Sequence, residues 1–112
     1  MENSRLVRPE HLNHYGFLFG GYLLQWVDEI AWMAVTLDYP DCQFVTVAMD
    51  EVVFRKSVYQ GTILTFHTDQ IRSGNTSVSY RVTVKDRETE IFSTEVTLVH
   101  VDENGRKQSL PK

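Results

Sequence analysis

The sequence predicts an α+β fold: one long helix lying against a five-stranded antiparallel sheet. Three observations carry this. One stretch alone, Gly21 to about Leu37, repeats its apolar residues at helical spacing. Four later stretches are rich in Val, Thr and aromatic residues and alternate in part, as half-buried strands do. Short turns join those four, and short connections make neighbouring strands antiparallel.

Taken in order, Arg5 to Arg8 reads as a short edge strand ended by Pro9, and Pro9 to Gly16 as loop. The next residues, FLFGG, place Gly20 and Gly21 side by side, where the backbone can bend tightly or approach a ligand closely. The helix follows. Leu23, Leu24, Val27, Ile30, Ala31, Ala34 and Val35 form one stripe centred near Val27. At about 100° per residue, Asp28 falls at the edge of that stripe and Glu29 on the opposite face. Tyr22, Trp26 and Met33 share the far face with Glu29, which therefore calls for cover from strands or from another copy of the chain.

Asp38-Tyr39-Pro40-Asp41 ends the helix by turn chemistry. Phe44 to Lys56 is a long strand with a bulge expected near Asp50-Glu51, and Val58 to Gly61 is a turn. Thr62 to Arg72 and Thr76 to Lys85 are strands joined by Ser73-Gly74-Asn75. In the second of these, Val78, Tyr80, Val82 and Val84 point one way and Ser77, Ser79, Arg81 and Thr83 the other. Glu90 to Val101 is the last strand, followed by a turn and a polar tail. One helix covers only part of a five-stranded sheet, so dimerisation is expected.

At 112 residues the chain is read as one domain, residues 1–112. Its 42% apolar and 23% charged residues fit a folded chain rather than a disordered one. A net charge of −4 argues against nucleic acid as the main partner, since phosphate backbones need a basic footprint. No apolar run reaches the roughly 18 residues of a membrane span, so no membrane partner is expected. The lone Cys42 excludes a disulfide framework and fits a reducing cytoplasm.

Asp28 is the most informative titratable residue. It is either a solvated helix carboxylate or a base or nucleophile at the border of an apolar stripe, where partial burial tunes proton affinity. Trp32, one turn on, lies on the same side and could wall off water. Glu29 reads as a surface or interface charge. Asn13 is either a turn residue or a hydrogen-bond donor to a carbonyl oxygen, alongside the N–H groups of Gly20 and Gly21 at the helix start. Arg55-Lys56 ends one strand, and Arg72, Ser73, Gly74, Asn75 and Thr76 span a turn. Each is an ordinary strand end or, together, a small basic mouth for a phosphate-bearing ligand. His11, His14, His67 and His100 lack metal-ligand spacing, no GxSxG elbow surrounds a serine, and GFLFGG lacks the Lys-Ser/Thr ending of a phosphate loop.

Asn13, Gly16, Phe19-Gly20-Gly21 and Asp28, in that spacing, resemble the hotdog-fold acyl-CoA thioesterases, specifically the small bacterial acyl-CoA hydrolases. FVTVAMDEVVFRK, SGNTSV and the tail VHVDENGRKQSLP are similar to the same family, so the resemblance covers nearly the whole chain. It implies a long central helix wrapped by the sheet, and two such units joined into a continuous sheet. It further implies active sites at the dimer interface, with Asp28 of one protomer facing the Asn13 region of the other, and often a trimer of dimers.

The implied reaction is hydrolysis of an acyl-CoA substrate to a carboxylic acid and free CoA. CoA belongs to the substrate and no cofactor is needed. Asp28 would be base or nucleophile, Asn13 with Gly20 and Gly21 would polarise the thioester carbonyl, and the CoA phosphates would lie near Arg55, Lys56 and the Arg72 to Thr76 turn. Lys56-Ser57 and Gly61-Thr62 depart from the Lys-Pro and Gly-Asp of many relatives. Two other functions stay open: a non-catalytic acyl-CoA or acyl-carrier binding module, and a hotdog dehydratase or hydratase using His11 or His14.

Overall fold

A computed structural model describes residues 1–111. In chain order these are β1 (Glu2–Leu6), a 3-10 turn (Pro9–His11), α1 (Gly20–Asp38), β2 (Gln43–Phe54), β3 (Ile63–Ser73), β4 (Ser77–Asp86) and β5 (Thr89–Val101). The strands form one sheet in the order β1-β3-β4-β5-β2, and every neighbouring pair is antiparallel. The helix-on-sheet architecture is as expected. The sheet order adds what the sequence does not give: α1 carries the chain from one edge of the sheet to the other, so β1 and β2 are the two edges.

The helix stripe is where the spacing put it. Leu23, Val27, Ile30, Ala31, Ala34 and Val35 are all buried. They meet Leu64 and Phe66 of β3, the Val78, Tyr80, Val82 and Val84 face of β4, and Phe92, Val96 and Leu98 of β5 in one core. Burying a side chain of this size stabilises by about 1.5–3 kcal/mol relative to exposure. The opposite face of β4 is polar, and its Ser79 hydroxyl meets that of Thr97 across the strands at 3.0 Å.

One expectation is met and one needs correction. Trp26, on the helix face expected to be covered by strands or by another copy, is covered by a strand of its own chain. It is buried, with its ring edge-on to Phe66 of β3 and to His11. The sheet and the pre-helix loop wrap further round α1 than a flat sheet would, so part of the far face is covered from within the chain. The first strand is Glu2–Leu6 rather than Arg5 to Arg8, because it takes its register from β3, with Glu2 opposite His67 and Leu6 opposite Ile63. The expected bulge is present. The β2–β5 register shifts between Asp50 and Val53, and Glu51 adopts a left-handed φ of 54°.

Candidate functional site

The loop before α1 is built around Asn13. Its side-chain oxygen accepts hydrogen bonds from the N–H of Tyr15 at 2.9 Å and of Phe17 at 3.1 Å. Gly16, at φ 90°, gives the loop the left-handed residue it needs to turn back. With the oxygen committed, the Asn13 side-chain NH2 is left without a hydrogen bond among the described residues. The loop is tied to the segment after β2 by the Leu18 N–H donating to the Val58 carbonyl at 2.7 Å.

Gly20 and Gly21 open α1 without a side-chain cap. The Tyr22 and Leu23 N–H groups turn back to the Phe19 carbonyl, while those of Gly20 and Gly21 have no partner among the described residues. Aromatic rings crowd both glycines. A Cβ on Gly20 would sit 3.1 Å from Phe54 Cζ, and one on Gly21 would sit 2.6 Å from Phe19 Cε2. Here, then, glycine serves close approach rather than an unusual φ. Asn13 and Gly20 line a cavity of about 380 Å3 with Leu23, Phe54, Arg55 and Lys56.

Asp28 lies eight residues further along α1, about 12 Å from Gly20 at 1.5 Å per residue. It is half-buried, and its Oδ1 accepts a hydrogen bond of 2.6 Å from the Thr46 hydroxyl on β2. Thr46 was not singled out in the sequence. Its only signal there is a polar residue on the inward face of a strand, and the contact depends on β2 having crossed to the edge beside α1. Asp28 and Thr46 line a second cavity, of about 640 Å3, with Glu29, Trp32, Met33 and Val45. Trp32 thus stands beside Asp28 as its spacing implied. Glu29 is exposed, accepts from Gln25 Nε2 at 3.0 Å, and stands at the same cavity rather than on a separate face.

Among the described residues the Asn13 and Asp28 cavities share no lining residue. A single chain therefore holds the two halves of the candidate constellation side by side, without joining them. The basic mouth is divided more widely. Arg55 and Lys56 follow the β2 end where Phe54 is opposite Phe92, whereas Ser77, just after the Arg72 to Thr76 turn, is opposite Val99. From Phe92 to Val99 along β5 is about 23 Å at a strand's rise. Within one chain the two groups do not form a common mouth.

Their charges differ too. Arg72 is paired with Glu95, which also lies 3.9 Å from Arg81, and Arg55 Nε lies 3.5 Å from Glu90. Lys56 has no ion pair among the described residues. Ser73, Gly74 and Asn75 are exposed, but the turn is held from two sides: the Leu110 N–H of the tail donates to the Asn75 carbonyl, and the His100 N–H of β5 to the Thr76 carbonyl, each at 2.8 Å.

The histidines near the site are taken up structurally. His11 Nδ1 accepts from the Arg8 N–H at 3.0 Å, and its ring packs edge-on to Tyr22 and Trp26. His14 stacks on Tyr15.

Comparison with known proteins adds an independent finding. The family model of the thioesterase superfamily matches residues 15–93. Acyl-coenzyme A thioesterase 11 of Mus musculus is 31% identical over 84 residues, 75% of this chain but only 14% of that protein. The chain thus spans about a seventh of that relative's length. A hexameric hotdog fold thioesterase of Campylobacter jejuni is 29% identical with a TM-score of 0.84, covering 97% of this chain and 88% of that one. An acyl-CoA hydrolase of Staphylococcus aureus, solved with butyryl coenzyme A and coenzyme A, is 26% identical with a TM-score of 0.88, covering 99% and 71%. Solved variants of that hydrolase replace an Asn, an Asp and a Thr by Ala. That Asn and Asp stand 15 positions apart, the spacing of Asn13 and Asp28, and that Thr lies 17 beyond the Asp, against 18 from Asp28 to Thr46.

Proposed function

The chain belongs to the thioesterase superfamily, and from that premise we propose that it hydrolyses acyl-CoA to a carboxylic acid and free CoA. The observation that carries this reading is the Asp28 carboxylate, held by Thr46 at 2.6 Å beside a largely apolar cavity. A carboxylate fixed in this way serves one of two first steps. As a base it takes a proton from water as the water oxygen bonds to the thioester carbon. As a nucleophile it bonds to that carbon itself, and water then hydrolyses the resulting anhydride. In both routes the C–S bond breaks and the CoA sulfur leaves with the bonding pair, to be protonated to the thiol.

The carbonyl oxygen gains negative charge in either route, and fixed donors stabilise it. The free NH2 of Asn13 and the unpartnered N–H groups of Gly20 and Gly21 are suited to this. CoA enters as part of the substrate, not as a resident cofactor. Lys56, unpaired and at the Asn13 cavity, is the cation best suited to the CoA phosphates. Arg55 beside it shares its charge with Glu90.

The working unit in this reading is a homodimer, because Asn13 and Asp28 line separate cavities in one chain. Edge strand β2 supports it: Val45, Val47, Val52 and Val53 are exposed along an unpaired edge, a surface that invites a second strand. Pairing of β2 with its symmetry mate would bring Asp28 of one copy toward Asn13 of the other. The Arg72 to Thr76 turn would then reach a CoA phosphate only from another copy, as a trimer of dimers allows. The cytoplasm is the compartment that goes with this reading and with the lone Cys42 thiol.

The test is thiol release from a panel of acyl-CoAs. The wild-type protein should release thiol, and Asp28→Asn should slow release on the order of a thousandfold. Unchanged turnover in Asp28→Asn would sink the mechanism, and tight acyl-CoA binding without thiol release would make the protein a binding module.

A further inference from the structure

The two cavities differ in chemistry. The Asn13 cavity has cations in its wall, Arg55 and Lys56. Among the described residues the Asp28 cavity has none: Trp32, Met33 and Val45 supply apolar surface, Thr46 is committed to Asp28, and the others are the carboxylates Asp28 and Glu29. A thioester whose carbonyl lies between Asn13 and Asp28 extends one arm into each environment. The phosphate-bearing arm belongs with the cations, which leaves the cation-free cavity for the other arm.

We infer that the Asp28 cavity holds the acyl group and that Glu29, at its rim, selects against acyl groups carrying a negative charge. The inference rests on the hydrolase reading and adds a substrate class to it. Glu29 is held in place from within α1, since Gln25, one turn earlier, donates to its Oε1 at 3.0 Å. A butyryl or hexanoyl group gains contact with Trp32, Met33 and Val45. A succinyl or glutaryl group of similar length brings its terminal carboxylate toward two like charges, and no cation among the described residues of this cavity offsets them. Repulsion between unit charges several ångströms apart near a protein surface is worth about tenfold or more in relative binding.

The experiment is thiol release from butyryl-, hexanoyl-, succinyl- and glutaryl-CoA by the wild-type protein and by Glu29→Gln and Glu29→Lys. The readout is the ratio of kcat/KM for the acidic substrate to that for its neutral counterpart within each variant, so any change in overall activity cancels. The ratio should be about 0.1 or lower in the wild type and rise about tenfold in Glu29→Gln. It should rise further in Glu29→Lys. A ratio that is the same in all three proteins overturns the inference while leaving the hydrolase reading intact. Release from none of the four substrates overturns both.

Discussion

Thr46 and Asp28 stand 18 residues apart, on an edge strand and on the central helix, and their side chains meet at 2.6 Å. The Thr46 hydroxyl donates to one carboxylate oxygen and leaves the other, among the described residues, without a hydrogen bond for the role proposed above. Thr46→Val keeps the shape and removes the donor. The carboxylate then loses its fixed orientation, and kcat for acyl-CoA should fall on the order of tenfold to a hundredfold. KM should change much less, because Thr46 acts through Asp28. Steady-state kinetics on one acyl-CoA decides this, and an equal kcat would remove Thr46 from the mechanism.

The glycine pair yields a different separation, of activity from stability. The ring that a Gly21 Cβ would strike belongs to Phe19, which is half-exposed and free to swing away. Gly20 faces Phe54, also half-exposed. Alanine favours a helix by about 1 kcal/mol over glycine. Gly20→Ala and Gly21→Ala should therefore fold with melting temperatures close to wild type. Each should still lose on the order of tenfold to a hundredfold in kcat/KM, because a methyl group crowds the N–H groups proposed to receive the carbonyl oxygen. A melting temperature lowered by ten degrees or more would mark the glycines as structural instead.

How much of this was legible in the chain depends on how local the physics is. The α1 stripe and the Val78 to Val84 alternation follow from the geometry of one element, and both are buried as the spacing implied, apart from Leu24, which is half-buried. That Trp26 needed cover was legible, but not that its own β3 supplies it, because helix spacing ranks faces and cannot say how far a sheet curls around them. Thr46 was missed because its contact exists only once β2 lies at the edge beside α1, and strand order is not encoded in strand patterns. The division of the basic residues is of the same kind. Arg72 and Lys56 looked equivalent as strand-end cations, yet the register sets them at opposite ends of β5, and Glu95 takes up Arg72.

Away from the site, Tyr80 of β4 donates its hydroxyl proton to Asp38 Oδ2 at 2.6 Å, at the last turn of α1. Burial, aided by this hydrogen bond and the Asp38 charge, pushes the phenol well above its usual range. Tyr80→Phe should destabilise the fold by about 1 kcal/mol at neutral pH. A raised phenol keeps its proton in the folded state while the unfolded phenol ionises near pH ~10. The wild-type advantage over Tyr80→Phe should thus be full below pH ~10 and shrink above it. Urea melts of both proteins between pH 7 and 11 measure this, and an advantage that grows with pH would contradict the assignment.

The β2 edge carries the assembly prediction. Val47 is 56% exposed and lies in the register shift between Thr46 and Ala48, so it has no partner residue on β5. A lysine there costs the monomer little, since the side chain already meets solvent. Across a β2–β2 pairing, the same lysine would put a charge onto the pairing edge of each copy, and charged edge residues are what keep strands from pairing. Val47→Lys should therefore give a folded monomer by sedimentation, with the circular dichroism of the wild type. If Asn13 and Asp28 act only across two copies, thiol release should fall with the dimer fraction and return as protein concentration rises. A monomer with full activity would mean that one chain completes the site alone, and the division of Asn13 and Asp28 between two cavities would need another explanation.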